Sequence, residues 1–177
     1  MFLETPRLVL RRFTDDDFSD FYAFAADREM CRMMGRDDLT DPDAARRNFL
    51  YLKNIAPRAY AIVLKDSGAV IGNLTVGEPS SLLRGRPELA GKRGCSLSFS
   101  ISRHYRRLGL MSEAVRAVID RLFSEESFDY INCGFFSFNE ASQALQEKLG
   151  FRFLLRDTIR IDGEEIEVIE NILWRRI

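Results

Sequence analysis

Residues 95–123 constrain this chain more than any other stretch. The run Cys95-Ser96-Leu97-Ser98-Phe99-Ser100-Ile101-Ser102 alternates without a break, so a strand here turns Cys95, Leu97, Phe99 and Ile101 to one side and four serines to the other. Behind it, Leu110, Met111, Ala114, Val115, Val118, Ile119, Leu122 and Phe123 trace a single helical stripe. The turn between them, Tyr105-Arg106-Arg107-Leu108-Gly109, is basic and carries a glycine. Such a turn presents free backbone N–H groups at the positive end of a helix dipole, where a phosphate or pyrophosphate binds without needing a particular side chain. The chain is therefore expected to hold a phosphate-bearing small molecule against the open edge of a sheet.

The rest of the sequence supplies a mixed sheet around that unit. Leu8-Val9-Leu10 reads as a first strand, and Thr14 ahead of Asp15, Asp16 and Asp17 as the start of a helix carrying Phe18, Phe21, Tyr22 and Ala25. Asp41-Pro42 starts another helix, with Ala45, Phe49 and Leu52 on one face. Tyr60–Lys65 and Ala69–Val76 read as strands joined by the hairpin turn Asp66-Ser67-Gly68. Pro79–Gly94 lacks periodicity and reads as a long loop. After the central helix come a strand at Tyr130–Phe136, a helix at Asn139–Leu149 ended by Gly150, a strand at Phe151–Leu155, and a hairpin turning at Asp162-Gly163 and returning through Ile166 to Trp174. The order βααβββαβαββ is α/β with a mixed sheet, and 177 residues suit one domain over 1–177.

Composition excludes several classes. A net charge of -1 gives no global attraction to nucleic acid or anionic lipid, and no apolar run approaches a membrane span. Three widely spaced cysteines without a Cys-x-x-Cys pair suit reduced thiols in a cytoplasmic protein, as does an N-terminus without a signal-peptide core. The single histidine, His104, excludes a histidine-rich metal site, and no metal is expected.

Taken singly, the site candidates have two readings. The serine face is either an ordinary solvated face or the wall of a polar cleft ending at the turn. Gly109 either starts a helix or permits close backbone approach. Arg106 and Arg107 are either solvated charges or phosphate partners. Asn139 ahead of Ser142 is explained by helix capping alone, as is Glu147-Lys148-Leu149-Gly150-Phe151 by a helix end and a strand start.

Together, these blocks resemble the GNAT superfamily of acyl-CoA-dependent N-acetyltransferases: Arg106-x-x-Gly109 after a strand, Ser112-Glu113-Ala114 in a long helix, then Asn139-x-x-Ser142 before Glu147-Lys148-Leu149-Gly150-Phe151. The opening Glu4-Thr5-Pro6-Arg7-Leu8-Val9-Leu10-Arg11 is similar to the RimJ/RimL branch, the ribosomal-protein N-terminal acetyltransferases. The resemblance implies a mixed, mostly antiparallel sheet of six to seven strands, with a splayed parallel pair at its centre and about four flanking helices. It implies acetyl-CoA as co-substrate, with its pantetheine on the backbone of Phe99, Ser100 and Ile101. The pyrophosphate would sit on the amides of Arg106, Arg107, Leu108, Gly109, Leu110 and Met111, with Ser112 completing the cofactor-binding set. Asn139 would approach the pantetheine arm and Ser142 the thioester sulfur.

The chain also departs from the family pattern. Met111 stands where a small residue is usual, Ser96 where many relatives carry a glutamate base, and Gln146 where some carry a tyrosine acid. The acid role then falls to Ser142. Ser96 can order a water but cannot take a proton as a carboxylate does. Glu78 and Glu88 are the replacement bases the sequence offers, each better explained as a surface charge. An α-amine, with a pKa of about 8, needs less help from a base than a lysine-like amine near 10. The expected activity is acetyl transfer to a primary amine, either a protein N-terminus or a small molecule. The alternatives are a non-catalytic acyl-CoA sensor on the same scaffold and an RNA-binding module using Arg84-Gly85-Arg86, which the balanced charge disfavours. Exposed sheet edges leave a homodimer open.

Overall fold

The computed structural model describes residues 2–56, 58–161 and 163–176. It contains, among them, eight strands and five α-helices. The backbone forms two compact units: one runs through Thr75 and adds Phe99–Ala117, and the other comprises Val76–Ser98 and the chain from Val118 onward.

In the first unit, β1 (Leu3–Glu4), β2 (Leu8–Arg11), β3 (Ala59–Leu64) and β4 (Val70–Gly77) pair in that order, all antiparallel. The helices α1 (Phe18–Ala25), α2 (Arg28–Met34) and α3 (Pro42–Leu50) close a core on one side of these strands. Its centre is aromatic, with Phe49 taking Phe13 and Phe18 edge-on at 5.6 and 5.3 Å and Phe21 tilted at 5.5 Å. Below it, Arg11 meets the buried Asp17 in a two-pronged pair at 2.6 and 2.8 Å. Burial opposes ionisation of Asp17, yet the Arg11 guanidinium and the Thr14 amide hold its carboxyl below the usual range.

In the second unit the order is β5 (Gly94–Ile101), β6 (Tyr130–Phe136), β8 (Glu164–Trp174), β7 (Arg152–Ile161). Only β5 and β6 are parallel, and their ladder covers three residue pairs, Gly94↔Tyr130 to Ser96↔Asn132. It stops there although β5 continues to Ile101 and β6 to Phe136. Gly94 sits under the Tyr130 ring, where a Cβ would meet the ring at 2.0 Å. The helix α5 (Glu140–Leu149) opens on an Asn139 cap and ends at Gly150, whose φ of 94° suits a residue without Cβ.

The expected mixed fold with one parallel pair is present. The additions are β1 and α2, both too short for periodicity to reveal; α2 is held by its ends, with the Met30 amide donating to Asp27 and Gly35 at φ 61°. Strand β7 runs to Ile161, six residues past the expected Leu155, although Asp157, Thr158 and Arg160 are exposed. Cross-strand charge pairs carry it there, Arg156 to Glu167 at 3.4 Å and Arg160 to Glu165 at 3.0 Å. In the expected turn, Gly163 has φ 88°, and Asp162 lies outside the described residues. The loop after β4 is not free chain: two 3₁₀ turns bury Leu83 and Leu89 with Tyr130 and Ile172.

The central helix, α4 (Leu110–Ser124), contributes its first half to one unit and the remainder to the other. Its stripe is buried as expected, with Ala114, Val115, Val118 and Leu122 fully inaccessible.

Candidate functional site

The proposed phosphate turn belongs to the first unit. Arg103–Tyr105 form one 3₁₀ turn, Arg106 is extended, and both Arg107 (φ 63°) and Gly109 (φ 77°) are left-handed. Holding a non-glycine residue there costs about 1–2 kcal/mol. Two left-handed residues separated only by Leu108 turn the chain sharply ahead of α4. The helical ladder of α4 begins with the Glu113 amide donating to the Gly109 carbonyl at 3.0 Å. The N–H groups of Leu110, Met111 and Ser112 therefore precede the ladder. The Met111 side chain is buried among the core residues, so its bulk is not exposed at the turn.

The two arginines of the turn differ. Arg106 is tied to Glu29 at 2.6 Å, whereas Arg107 is exposed, with no ion pair among the described residues. The neighbouring Arg103 faces Asp27 at 3.4 Å.

A clamp that sequence reasoning did not anticipate fixes this turn. Glu113 accepts from Thr5 Oγ1 at 2.6 Å, from the Arg7 amide at 2.9 Å and from Arg7 Nε at 2.8 Å, while Arg7 Nη1 donates to the Leu108 carbonyl at 3.0 Å. Burial opposes ionisation of Glu113, but the Thr5 and Arg7 donors hold its carboxyl below the usual range. The Glu4–Arg11 motif thus has a physical role: it braces the turn from outside. The separation of 106 residues between Arg7 and Glu113 hid this from any local pattern.

Phe99, Ser100 and Ile101 form the end of β5. Gly72 of β4 lies against them so closely that a Cβ would meet the Ser100 carbonyl oxygen at 2.3 Å and the Ile101 Cα at 3.0 Å. The Ser100 hydroxyl bonds Asn73, and both side chains are buried. The serine face is therefore not uniform. Cys95 and Leu97 are buried as expected, but beyond Ser98, which is exposed, the buried position is Ser100. The match with Asn73 outweighs the alternation there.

The second unit holds Ser96, Asn139 and Ser142, and it places the two serines in separate polar chains. Asn139 Oδ1 caps α5 by accepting from the Ser142 amide at 3.1 Å, which leaves its amide nitrogen to donate elsewhere. Ser142 Oγ accepts from Gln146 Nε2 at 3.0 Å, and Gln146 Oε1 accepts from Asn171 Nδ2 at 3.0 Å. Gln146 is fully buried, which the charged neighbourhood Gln-Glu-Lys in sequence does not suggest. Ser96 pairs with Asn132 across the parallel ladder, and Asn132 Nδ2 donates to Glu170 Oε2 at 3.0 Å. Glu170 and Asn171 are consecutive on β8, so the two chains lie on opposite faces of the β6–β8 ladder. The sequence signal for this second chain is the interruption Glu170-Asn171 inside the apolar run Val168 to Trp174.

Other candidates stay at the surface. Glu78, Glu88, Arg84 and His104 are exposed. Arg86 pairs with Glu88 at 2.6 Å, and the Glu88 backbone amide together with Arg86 holds that carboxyl below its usual range.

A family model described as acetyltransferase (GNAT) domain matches residues 7–152. Among curated proteins, the uncharacterized N-acetyltransferase YoaA of Bacillus subtilis (strain 168) is 29% identical over 156 residues, covering 85% of this chain and 82% of that protein. Among solved structures, a GNAT-family acetyltransferase from Bacillus anthracis superposes with a TM-score of 0.83 at 17% identity, covering 99% of both chains. The ribosomal-protein-S5-alanine acetyltransferase of Vibrio fischeri gives 0.76 at 16% identity, over 99% of this chain and 97% of that one. The spermidine N-acetyltransferase of Vibrio cholerae, in complex with CoA and spermine, gives 0.75 at 14% identity over 97% of each.

Proposed function

Because the chain belongs to the GNAT acetyltransferase family, and is accordingly an acetyl-CoA-dependent N-acetyltransferase, we propose that it acetylates a primary amine by direct attack within a ternary complex. The observation that carries this reading is the turn at Arg106–Ser112, where two left-handed residues lead into a helix whose amides at Leu110, Met111 and Ser112 lie outside the helical ladder, as a pyrophosphate site needs. In this reading the pyrophosphate accepts from the amides between Arg106 and Ser112, and Arg107 adds an exposed positive charge. The backbone of Phe99–Ile101 pairs with the pantetheine.

The chemistry follows from these placements. The amine nitrogen attacks the thioester carbon, and the carbonyl oxygen, as it gains charge, accepts from a main-chain N–H at Phe99–Ile101. Collapse of the adduct breaks the C–S bond. Ser142 donates its hydroxyl proton to the departing sulfur. Gln146 favours that direction because it donates to Ser142 Oγ, leaving the hydroxyl hydrogen unspent. Positioning alone accounts for about 7–11 kcal/mol of barrier, more than the roughly 10²–10⁴-fold that one acid or base supplies.

The acceptor is a protein N-terminus or a small amine. The RimJ/RimL-like opening and the likeness in fold to the S5-alanine enzyme support the first; the likeness to the spermidine enzyme supports the second. An α-amine, neutral in appreciable fraction near pH 7, suits a site with Ser96 in place of a carboxylate. The test is release of free CoA from acetyl-CoA in the presence of alanyl and seryl peptides, spermidine and an aminoglycoside. Binding of CoA in calorimetry with no release from any amine would instead favour a non-catalytic acyl-CoA sensor, which the family match does not favour.

Three buried thiols, Cys31, Cys95 and Cys133, support action in the reducing cytoplasm. A homodimer is supported by Phe153, 64% exposed on β7, and is tested by light scattering on the purified chain.

A further inference from the structure

Glu170 is the carboxylate in this fold with the least reason to be where it is. It lies on β8 with only 4% of its surface exposed, and no arginine or lysine pairs with it among the described residues. Its one hydrogen bond comes from Asn132 Nδ2 at 3.0 Å. Asn132 is itself 1% exposed, and its Oδ1 has no hydrogen-bond partner among the described residues. A buried anion served by one neutral donor, beside a buried acceptor served by none, is costly unless a cation with several N–H groups completes it.

Gly134 stands opposite Glu170 in the β6–β8 register and is exposed, and a Cβ there would come within 2.8 Å of Glu170 Oε1. The carboxylate therefore occupies the space a side chain at 134 would take, beside the exposed backbone of that glycine. Asn132 pairs with Ser96 on the next strand, so Ser96, Asn132 and Glu170 form one polar row on a single face. The Cys133 thiol, next to Asn132 in sequence, is pushed well above its usual range by burial and by this carboxylate, so it stays neutral.

We propose that Glu170 and Asn132 form the seat for the acceptor's primary ammonium group, and that Glu170 removes its proton. This rests on the transferase reading above and supplies the base that Ser96 cannot be. The ammonium donates to Glu170 and to Asn132 Oδ1. One N–H bond breaks and its proton passes to the carboxylate, freeing the lone pair; the N–C bond to the acyl carbon forms and the C–S bond breaks. The second nitrogen proton leaves to solvent, Ser142 protonates the sulfur and is reprotonated from solvent, and Glu170 returns its proton to water.

The test compares wild type with Glu170→Gln, which keeps size and shape. With the amine that reacts best in the panel above, kcat/KM at pH 7 should fall by at least about 10²-fold. CoA affinity by calorimetry should be unchanged. The deficit should shrink about tenfold per pH unit towards the amine's own pKa, where the nucleophile is already neutral. A kcat/KM within threefold of wild type, or a deficit independent of pH, overturns the proposal. A second arm needs no turnover and no folded Glu170→Gln. Infrared difference spectra of the wild type should show a saturable carboxylate-stretch shift with methylammonium, none with tetramethylammonium, and a weaker one in Asn132→Leu. No shift with methylammonium, or equal shifts with both cations, overturns the proposal. If the wild type acetylates no amine, the transferase reading fails and this arm alone decides the seat.

Discussion

Ser142 and Glu113 show how single side chains here act through partners. Ser142→Ala should lower kcat by roughly 10²-fold with little change in KM for acetyl-CoA, measured by CoA release. Gln146→Leu should lower kcat as well, but adding it to Ser142→Ala should cost no further kcat, because Gln146 acts only through the hydroxyl it supports. Stability would respond differently: Gln146→Leu loses two hydrogen bonds, one of them buried, in the wild type and the buried one alone beside Ser142→Ala, and leaving Asn171 unserved should cost about 1–3 kcal/mol in either background, read from urea midpoints. Glu113 accepts from three donors that hold the turn to the N-terminal segment. Glu113→Gln should weaken CoA binding roughly tenfold, the equivalent of about 1.4 kcal/mol, by calorimetry, with kcat at saturating acetyl-CoA largely retained.

Among the elements, β5 holds the stretch proposed for the pantetheine and packs tightly against β4. Gly72→Ala would drive a methyl group into the Ser100 carbonyl, and backbone cannot swing aside as a flexible side chain does. We expect a loss of about 1–3 kcal/mol and a matching loss of CoA affinity, because the shifted backbone is the stretch meant for the pantetheine. Much of this was legible beforehand. Alternation marked β5, a 3.6-residue stripe marked α4, and Asn139 with Gly150 marked both ends of α5, since each signal is local and repeats. What escaped was non-local or too short to repeat. The seven residues of α2 span two turns, the far end of β7 is held by cross-strand charge, and Ser100 is buried because Asn73 meets it. The polar chains through Gln146 and Glu170 escaped for the same reason. Their partners lie 25 and 38 residues away, and only strand register brings them together.

For the molecule as a whole, acid is the informative stress. Asp17 and Glu113 both ionise more readily in the fold than their ordinary values near 4. A depressed carboxyl contributes stability that is fully present above its unfolded value and disappears as pH falls through the folded one. The urea midpoint should therefore hold from pH 7 to about 5 and decline below about 4, and Asp17→Asn should flatten that decline while lowering the plateau. No helix among the described residues is long and apolar enough to cross a membrane. The boundaries between the two compact units fall at Thr75/Val76, Ser98/Phe99 and Ala117/Val118, inside β4, β5 and α4, whereas independent domains usually part at exposed linkers. Neither half is a contiguous piece of polypeptide, so no single scissile bond liberates one of them. Severing the chain after Ser98 should yield two fragments that each lack a cooperative melt alone and regain one only on mixing.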